Sequence, residues 1–126
     1  MVLSQFELWN KGEDLDAFAP YYDPNVVVDA PEGWPEGSVS RGFDAWKQQA
    51  ERLRDTWAEA RTEVDEIRPV GRDRVVAQIR YVTVGKGPGM AFETPMAVAF
   101  TFAEGKITRA SYFWKMQDLE AAGLTE

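Results

Sequence analysis

The residue best suited to do chemistry in this chain is Asp29, which directly follows three valines at positions 26–28. A carboxylate at the end of an apolar strand can lie in an apolar pocket, where loss of water makes it a stronger base. This interpretation predicts a general base or acid for proton transfer. The alternative is that Asp29 caps the turn that begins at Ala30, as aspartates at strand ends commonly do.

The residue types that are missing limit the chemistry further. The chain has no histidine and no cysteine, which excludes Ser–His and Cys–His nucleophile pairs, thiol chemistry and the commonest transition-metal ligand. Catalysis would have to use carboxylates, tyrosines, arginine, lysine or water. Glu13, Asp14 and Asp16 lie close together, but carboxylates at a helix start more often complement the helix dipole. We therefore expect neither a metal nor a cofactor.

Length and charge define the class of protein. A chain of 126 residues, 44% of them apolar, is enough for a single domain over residues 1–126 with one core. The net charge of −7 argues against nucleic acid and anionic membrane surfaces as partners. No apolar run approaches the ~18 residues of a membrane-spanning helix, and no signal-peptide pattern is present. The lack of cysteine fits a reducing cytoplasm, where we expect the protein to be.

The elements that would position Asp29 follow from hydrophobic periodicity. Helical spacing predicts a first helix over residues 3–9, a short second helix capped by Asp14, and a long third helix over residues 43–59 whose solvated face includes Gln49. Strand patterns cover residues 26–28, 64–70, 75–84, 90–102 and 106–114. A last helix over residues 116–122 ends before Gly123. Helices followed by a run of strands indicate the α+β class.

The strand over residues 90–102 has two different faces. Its large residues share one parity, so we expect that face to meet the core. Glu93, Ala97 and Ala99 lie on the other face, and we place Tyr81 of the preceding strand with them. A face of small apolar residues suits packing against a second copy of the chain. We therefore expect a homodimer formed through the sheet face.

The order and spacing of several short motifs resemble the SnoaL-like branch of the nuclear transport factor 2-like superfamily. The motifs, which together span nearly the whole chain, are NKGEDLD at 10–16, YDPNVVVD at 22–29, RGFDAW at 41–46, GKGPG at 85–89, FAEGKITR at 102–109 and LEAAGL at 119–124. The resemblance implies a cystatin-like cone, in which a curved, mostly antiparallel sheet wraps around the long helix. It also implies an interior pocket with Asp29 at its mouth.

The ketosteroid isomerase-like members of this superfamily offer a catalytic template. Their general base is an aspartate at the end of the first strand, and Asp29 matches that position. Their oxyanion is held by a tyrosine on the first helix and a protonated aspartate on a sheet strand. The matching positions here fall near Gln5 or Phe6 and at Val98, so both donors are absent.

Arg80 has two interpretations. It either faces Asp29 or a substrate oxygen across the pocket, or forms an exposed ion pair on the sheet. The limonene epoxide hydrolase-like members carry an Arg-x-Asp pattern on one strand, which is absent here because Tyr81 and Val82 follow Arg80. A pairing with Arg80 would weaken Asp29 as a base.

Aromatic and apolar side chains would surround a ligand. The resemblance places Tyr112 and Trp114 toward the pocket, and we interpret Trp34, between Gly33 and Pro35, as a lid or a dimer contact. For most of the aromatic residues the alternative is simple core packing. The full set of candidate ligand contacts is Tyr22, Trp34, Trp46, Trp57, Arg80, Thr94, Met96, Val98, Tyr112 and Trp114.

These residues indicate a protein that binds a small, largely apolar, cyclic ligand. Asp29 would serve isomerase-, cyclase- or lyase-type proton transfer, or hydrolysis without a metal. Two alternatives stay open: a non-catalytic protein that binds a ligand in the same pocket, and a dimeric interaction module whose aromatic residues fill the pocket. The sequence identifies no substrate and does not decide whether the protein is an enzyme.

Overall fold

The structure, a computed structural model, describes residues 2–31, 39–86 and 91–125. It contains the α+β elements expected from the sequence, and none of the described helices has the length and apolar character needed to span a bilayer. Trp34 lies outside the described residues. The elements are α1 (Val2–Asn10), a 3-10 helix (Leu15–Tyr21), β1 (Tyr22–Asp29), β2 (Val39–Arg41), α2 (Phe43–Thr56), β3 (Glu59–Val70), β4 (Arg74–Val84), β5 (Ala91–Ala103), β6 (Lys106–Phe113) and α3 (Met116–Ala121).

The described strands form one six-stranded sheet in the order β2-β1-β6-β5-β4-β3. β1 and β6 pair in parallel, and the other neighbouring strands pair antiparallel. β1 begins at Tyr22, four residues before the expected strand, and continues through Pro24. β2 was not expected, because its three residues are too few to show a period.

The inner face of the sheet packs against α1, α2 and the 3-10 helix. Phe18, Val98 and Phe100 are fully buried in this core, and the ring of Phe18 lies 5.1 Å from that of Trp46 on α2. Gly42 allows α2 to follow β2 directly, because its φ of 90° is a conformation that favours glycine. Its N–H donates to the carbonyl of Val26 (2.7 Å), which fixes the start of α2 against β1.

The outer face of the sheet is partly covered by α3. Leu119 is fully buried there with Val76, Ala97 and Ala99. The small residues that we expected to meet a second copy of the chain are therefore buried by the chain's own last helix. The homodimer through the sheet face stays a prediction.

The expected orientation of Tyr81 is wrong. Tyr81 lies opposite Thr94 in the β4–β5 pairing, and both belong to the inner face with Met96. The physical signal was present in β4, where apolar Ile79 and Tyr81 alternate with polar Gln78 and Arg80. Alternation of this kind places the apolar parity toward the core.

Candidate functional site

An interior cavity of about 110 Å³ lies between the inner face of the sheet, α1 and α2. An engineered apolar cavity of about 150 Å³ stays dry and binds benzene, so this space suits a single ring. Among the described residues that line it, none carries a charge. They are Phe6, Trp9, Tyr22, Val28, Ala30, Pro31, Trp46, Gln49, Ala50, Leu53, Thr62, Ile79, Tyr81, Met96 and Tyr112.

Three tyrosines, Tyr22, Tyr81 and Tyr112, are among the residues that line this apolar space. Burial raises the pKa of Tyr81 to about 12, although the positive charge of Arg54 opposes that rise. Burial also raises the pKa of Tyr112, with a smaller contribution from Tyr81, and that of Tyr22, with a smaller contribution from Tyr112. The three hydroxyls are therefore neutral near pH 7, where they serve as hydrogen-bond donors and not as bases.

Two buried donors in the cavity wall lack a partner. Within the described ranges, neither the indole Nε1 of Trp9 nor the hydroxyl of Tyr81 makes a hydrogen bond. A buried donor left without an acceptor costs about 1–3 kcal/mol, and such groups are few in native proteins. Both donor atoms are closed to a water-sized molecule in this structure, so they belong to the packed wall and not to its open surface.

Asn10, the last residue of α1, joins that helix to β3. The Nδ2 of Asn10 donates to the carbonyl of Thr62 (2.8 Å), and the N–H of Thr62 donates to the Oδ1 of Asn10 (2.7 Å). Thr62 on β3 lies directly opposite Tyr81 on β4. Arg54 of α2 also contacts α1, because its guanidinium lies 4.6 Å from the ring centre of Trp9.

The opposite side of the cavity is formed by stacked rings. Tyr22 and Trp46 stack at 4.9 Å between ring centres, and Phe43 stacks on Trp46 at 5.4 Å. Gln49, one turn further along α2, accepts a hydrogen bond from the hydroxyl of Ser40 (2.9 Å). This aromatic group gives the cavity a flat, apolar wall.

The position expected for Asp29, at the mouth of the interior cavity, is wrong. Val28 is buried on the inner face, so the next residue, Asp29, projects to the outer face. There the Nε and Nη2 of Arg109 donate to the Oδ2 of Asp29 at 2.7 and 2.6 Å. The hydroxyl of Ser111 donates to the same oxygen at 3.1 Å. A catalytic role for Asp29 stays a prediction.

Asp29, Arg109 and Ser111 line a second space, an outer cleft of about 870 Å³ between the sheet and the C-terminal segment. Ala30, Pro31 and Tyr112 line both this cleft and the interior cavity. A single layer of residues therefore separates the two spaces at the end of β1.

The other candidates divide between the two faces and the core. Tyr22, Trp46, Met96 and Tyr112 line the interior cavity, as expected. Val98 is fully buried in the adjacent core. Their role in binding stays a prediction.

The remaining candidates lie away from the cavity wall. Thr94 is half-buried opposite Tyr81, and the ring of Trp57 lies 6.3 Å from that of the exposed Phe92. Trp114 lines the outer cleft. Arg80 does not face Asp29, so the interpretation as an ion pair on the sheet holds.

The ion pairs of Arg80 lie on the outer face. Its Nη1 donates to Glu93 (2.8 Å) and its Nε donates to Asp65 (3.0 Å). The two carboxylates raise the pKa of Arg80, that of Asp65 being the larger influence. Arg80 is therefore a surface cation already satisfied by its neighbours.

Among the wall residues that were not candidates, four have polar side-chain atoms: Trp9, Gln49, Thr62 and Tyr81. Gln49 was expected in solvent, yet it is half-buried between Trp46 and Leu53 at helical spacing, a pattern that could have revealed it. Thr62 is joined to Asn10, the neighbour of Trp9, by hydrogen bonds between residues far apart in sequence, which no local pattern shows. No group of three or more acidic residues that could hold a metal ion occurs within residues 2–31, 39–86 and 91–125.

A curved sheet over a long helix, with an apolar cavity between them, defines the cone-shaped α+β fold. Residues 2–110 match the model of the SnoaL-like domain family, and the chain belongs to that family. The resemblance expected from the motifs is thereby confirmed. No curated protein matches the chain.

Solved structures confirm the cone fold. TerC, co-crystallised with polyporic acid, is 18% identical and aligns over 95% of this chain and 92% of its own, with a TM-score of 0.77. A ketosteroid isomerase-like protein from Catenulispora acidiphila DSM 44928, in complex with trimethylamine, is 16% identical over 98% and 90% of the chains (TM-score 0.76). SalBIII, an epoxide hydrolase/cyclase-like enzyme with a role in pyran ring formation in the polyether salinomycin, is 22% identical. It aligns over 93% of this chain and 89% of its own, with a TM-score of 0.75.

Proposed function

We propose that this protein binds a small, uncharged, single-ring ligand in its interior cavity. The observation that carries the proposal is a space of about 110 Å³ whose described lining residues are aromatic, aliphatic or neutral polar. A charged ligand would lose its hydration there without gaining an ion-pair partner. An apolar ring would gain the free energy of leaving water.

The size of the cavity restricts the ligand. Pockets for drug-sized molecules usually measure about 300–1,000 Å³, well above the 110 Å³ found here. A polycyclic ligand would need α1 or the wall around Ala30 and Pro31 to move outward. Chemistry on ring compounds in this fold has a precedent in SalBIII, an enzyme of pyran ring formation.

Catalysis of cyclase-, isomerase- or lyase-type proton transfer on that ligand is the second candidate function. Neutral tyrosine hydroxyls in an apolar cavity are suited to stabilise an oxyanion that develops in a transition state. No carboxylate lines the cavity among the described residues. Asp29 would serve as the base only after leaving Arg109 and turning past the layer formed by Ala30 and Tyr112.

The binding proposal is tested by titrating ligands of graded size while following tryptophan fluorescence. Benzene and cyclohexanone are expected to bind, and a steroid is not. Ala50→Leu, a substitution at a buried position of the cavity wall, should fill the space and abolish binding. Ala58→Leu at an exposed site is the matched control. Equal binding by Ala50→Leu and the native protein would overturn the proposal.

The cytoplasmic location and the homodimer are further parts of the proposal. Cell fractionation tests the first, and sedimentation equilibrium tests the second. A monomer at all concentrations would contradict the dimer without affecting the cavity, because the described cavity wall belongs to one chain.

A further inference from the structure

We propose that the outer cleft is a second binding site, which takes an aromatic carboxylate. The cleft lies on the outer face of the sheet, and the proposal does not depend on the function proposed for the interior cavity. Its volume of about 870 Å³ falls within the range of about 300–1,000 Å³ that is usual for pockets of drug-sized ligands. The cleft therefore has room for a ligand of two rings.

Arg74, the first residue of β4, brings an uncompensated positive charge to this cleft. It is half-buried and lines the cleft, yet it forms no ion pair with any acidic residue of the described ranges. Its Nη1 donates to the carbonyl of Leu124 over a long 3.3 Å, and its buried Nε has no partner in that part of the chain. A charge taken partly out of water without a counter-ion is costly. An anion in the cleft would supply the missing counter-ion.

The strand register places a second arginine near Arg74. Arg74 on β4 lies opposite Thr101 on β5, and Thr101 lies opposite Arg109 on β6. Directly opposite residues share a face of the sheet, and all three residues line the cleft. Because neighbouring strands are about 4.8 Å apart, the backbones of the two arginines are about 10 Å apart, with Thr101 between them. A carboxylate above Thr101 therefore lies in the positive field of both arginines.

Arg109 has donors left for a ligand. Its Nε and Nη2 bind the Oδ2 of Asp29, which uses one side of the planar guanidinium fork and leaves Nη1 on the other side. The side chain of Arg109 is 55% exposed, so a ligand can approach it from solvent. The charge of Asp29 opposes an incoming anion. Asp118, the other acidic residue of the described cleft wall, is exposed on α3, where solvent screens its charge.

The balance of charge and the remaining wall residues define the class of anion. Guanidinium groups bind carboxylates and phosphates alike, but a doubly charged phosphate would be repelled more strongly by Asp29 and Asp118. The single uncompensated charge of Arg74 matches the single charge of a carboxylate. Phe113 and Trp114 also line the cleft, and their rings favour a flat aromatic body on the ligand.

The test compares 2-naphthoate with 2-naphthamide, which have the same rings and differ in charge at pH 7. Calorimetric titration of the native protein at low salt is expected to show about tenfold tighter binding of the carboxylate, the effect of one charge-assisted hydrogen bond. Arg74→Gln should remove about that factor, and Arg74→Lys, which keeps the charge, should restore part of it. Arg72→Gln, at an exposed site outside the described cleft wall, is the matched control and should bind as the native protein does.

Three further variants locate the bound carboxylate. Asp29→Asn should tighten naphthoate binding up to about fivefold, because it removes a surface charge that competes for Arg109. Ala50→Leu, which fills the interior cavity, should leave naphthoate affinity unchanged. The indole N–H resonance of Trp114, assigned by its loss in Trp114→Phe, should shift with naphthoate.

Equal affinity for naphthoate and naphthamide in the native protein, or no binding of either, would overturn the proposal. Naphthoate binding that survives in Arg74→Gln and is lost in Ala50→Leu would also overturn it, because the ligand would then lie in the interior cavity. Failure of the cleft to bind naphthoate leaves the titration of the interior cavity with benzene unaffected, so the two proposals fail separately.

Discussion

Asp29 and Arg109 form an ion pair on the outer face of the sheet, where two nitrogens of Arg109 lie 2.7 and 2.6 Å from one carboxylate oxygen of Asp29. The residue that the family pattern marks as the base is thus held outside the interior cavity. The side chain of Asp29 is 25% exposed and that of Arg109 is 55% exposed. Solvent therefore screens the pair, and it contributes little to stability.

Replacing Asp29 should have a small effect on the folded protein. We expect Asp29→Asn to lower the free energy of unfolding by about 1 kcal/mol or less, as measured by urea denaturation. Affinity for a single-ring ligand should not change, because Asp29 does not line the cavity among its described residues. Asp65→Asn, which weakens another ion pair of the outer face, is the matched control. Loss of turnover in Asp29→Asn with affinity retained would instead support Asp29 as the base.

The unpaired hydroxyl of Tyr81 should make no favourable contribution to the stability of the free protein. Tyr81→Phe removes a buried donor that has no partner in the described part of the chain. We expect the free energy of unfolding to stay equal or to rise by up to about 1 kcal/mol. A loss of more than about 1 kcal/mol in urea denaturation would show that the hydroxyl is satisfied by a group inside the protein.

Stability should fall in strongly alkaline solution because of the buried tyrosines. The pKa of Tyr81 rises from 10.0 to about 12 on folding, and burial also raises those of Tyr22 and Tyr112. A raised pKa means that the stabilisation is complete below pH 10 and is lost as the pH rises toward 12. Tyrosinate absorbance and the unfolding midpoint, measured over this range, should change together. Tyr81→Phe should lessen the decline, and titration of Tyr81 near 10 in the folded protein would contradict the burial.

Asn10 should matter for the stability of the fold. Asn10→Ala removes two hydrogen bonds of 2.8 and 2.7 Å to the backbone of Thr62, at a cost of about 1–3 kcal/mol in the free energy of unfolding. Asn25→Ala, at an exposed position on β1, serves as the control. Equal stability of Asn10→Ala and the native protein in urea denaturation would contradict this contribution.

The sequence predicted the order of elements well, because the long elements carry clear periods. Apolar residues at helical steps located α2, which ends at Thr56, three residues before its predicted end. The β-branched content located β4, β5 and β6 within about one residue of their true ends. The short strand β2 was not predicted, because it is too short to show a period. Tyr22, Trp46, Met96 and Tyr112 were placed correctly because their elements face the core.

The sequence did not predict which way the side chains at the end of β1 project. Residues 26–28 are all valine, so this strand shows no alternation from which its inner parity can be read. The orientation of Asp29 is set by the pairing of β1 with β6, where Asp29 lies beside Ser111. The link from Asn10 to Thr62 spans 52 positions and depends on tertiary packing. These long-range contacts help to define the cavity, and no local sequence pattern predicts them.

The most direct test of the cavity as the binding site uses the methyl groups of methionine. Met96 is buried in the cavity wall, whereas Met116, the first residue of α3, packs on the outer face. In protein labelled with ¹³C at the methionine methyls, addition of cyclohexanone should shift the Met96 resonance and leave that of Met116 in place. Met96→Leu and Met116→Leu assign the two signals. A shift of Met116 alone, or no shift of Met96 at saturating ligand, would contradict binding in the interior cavity.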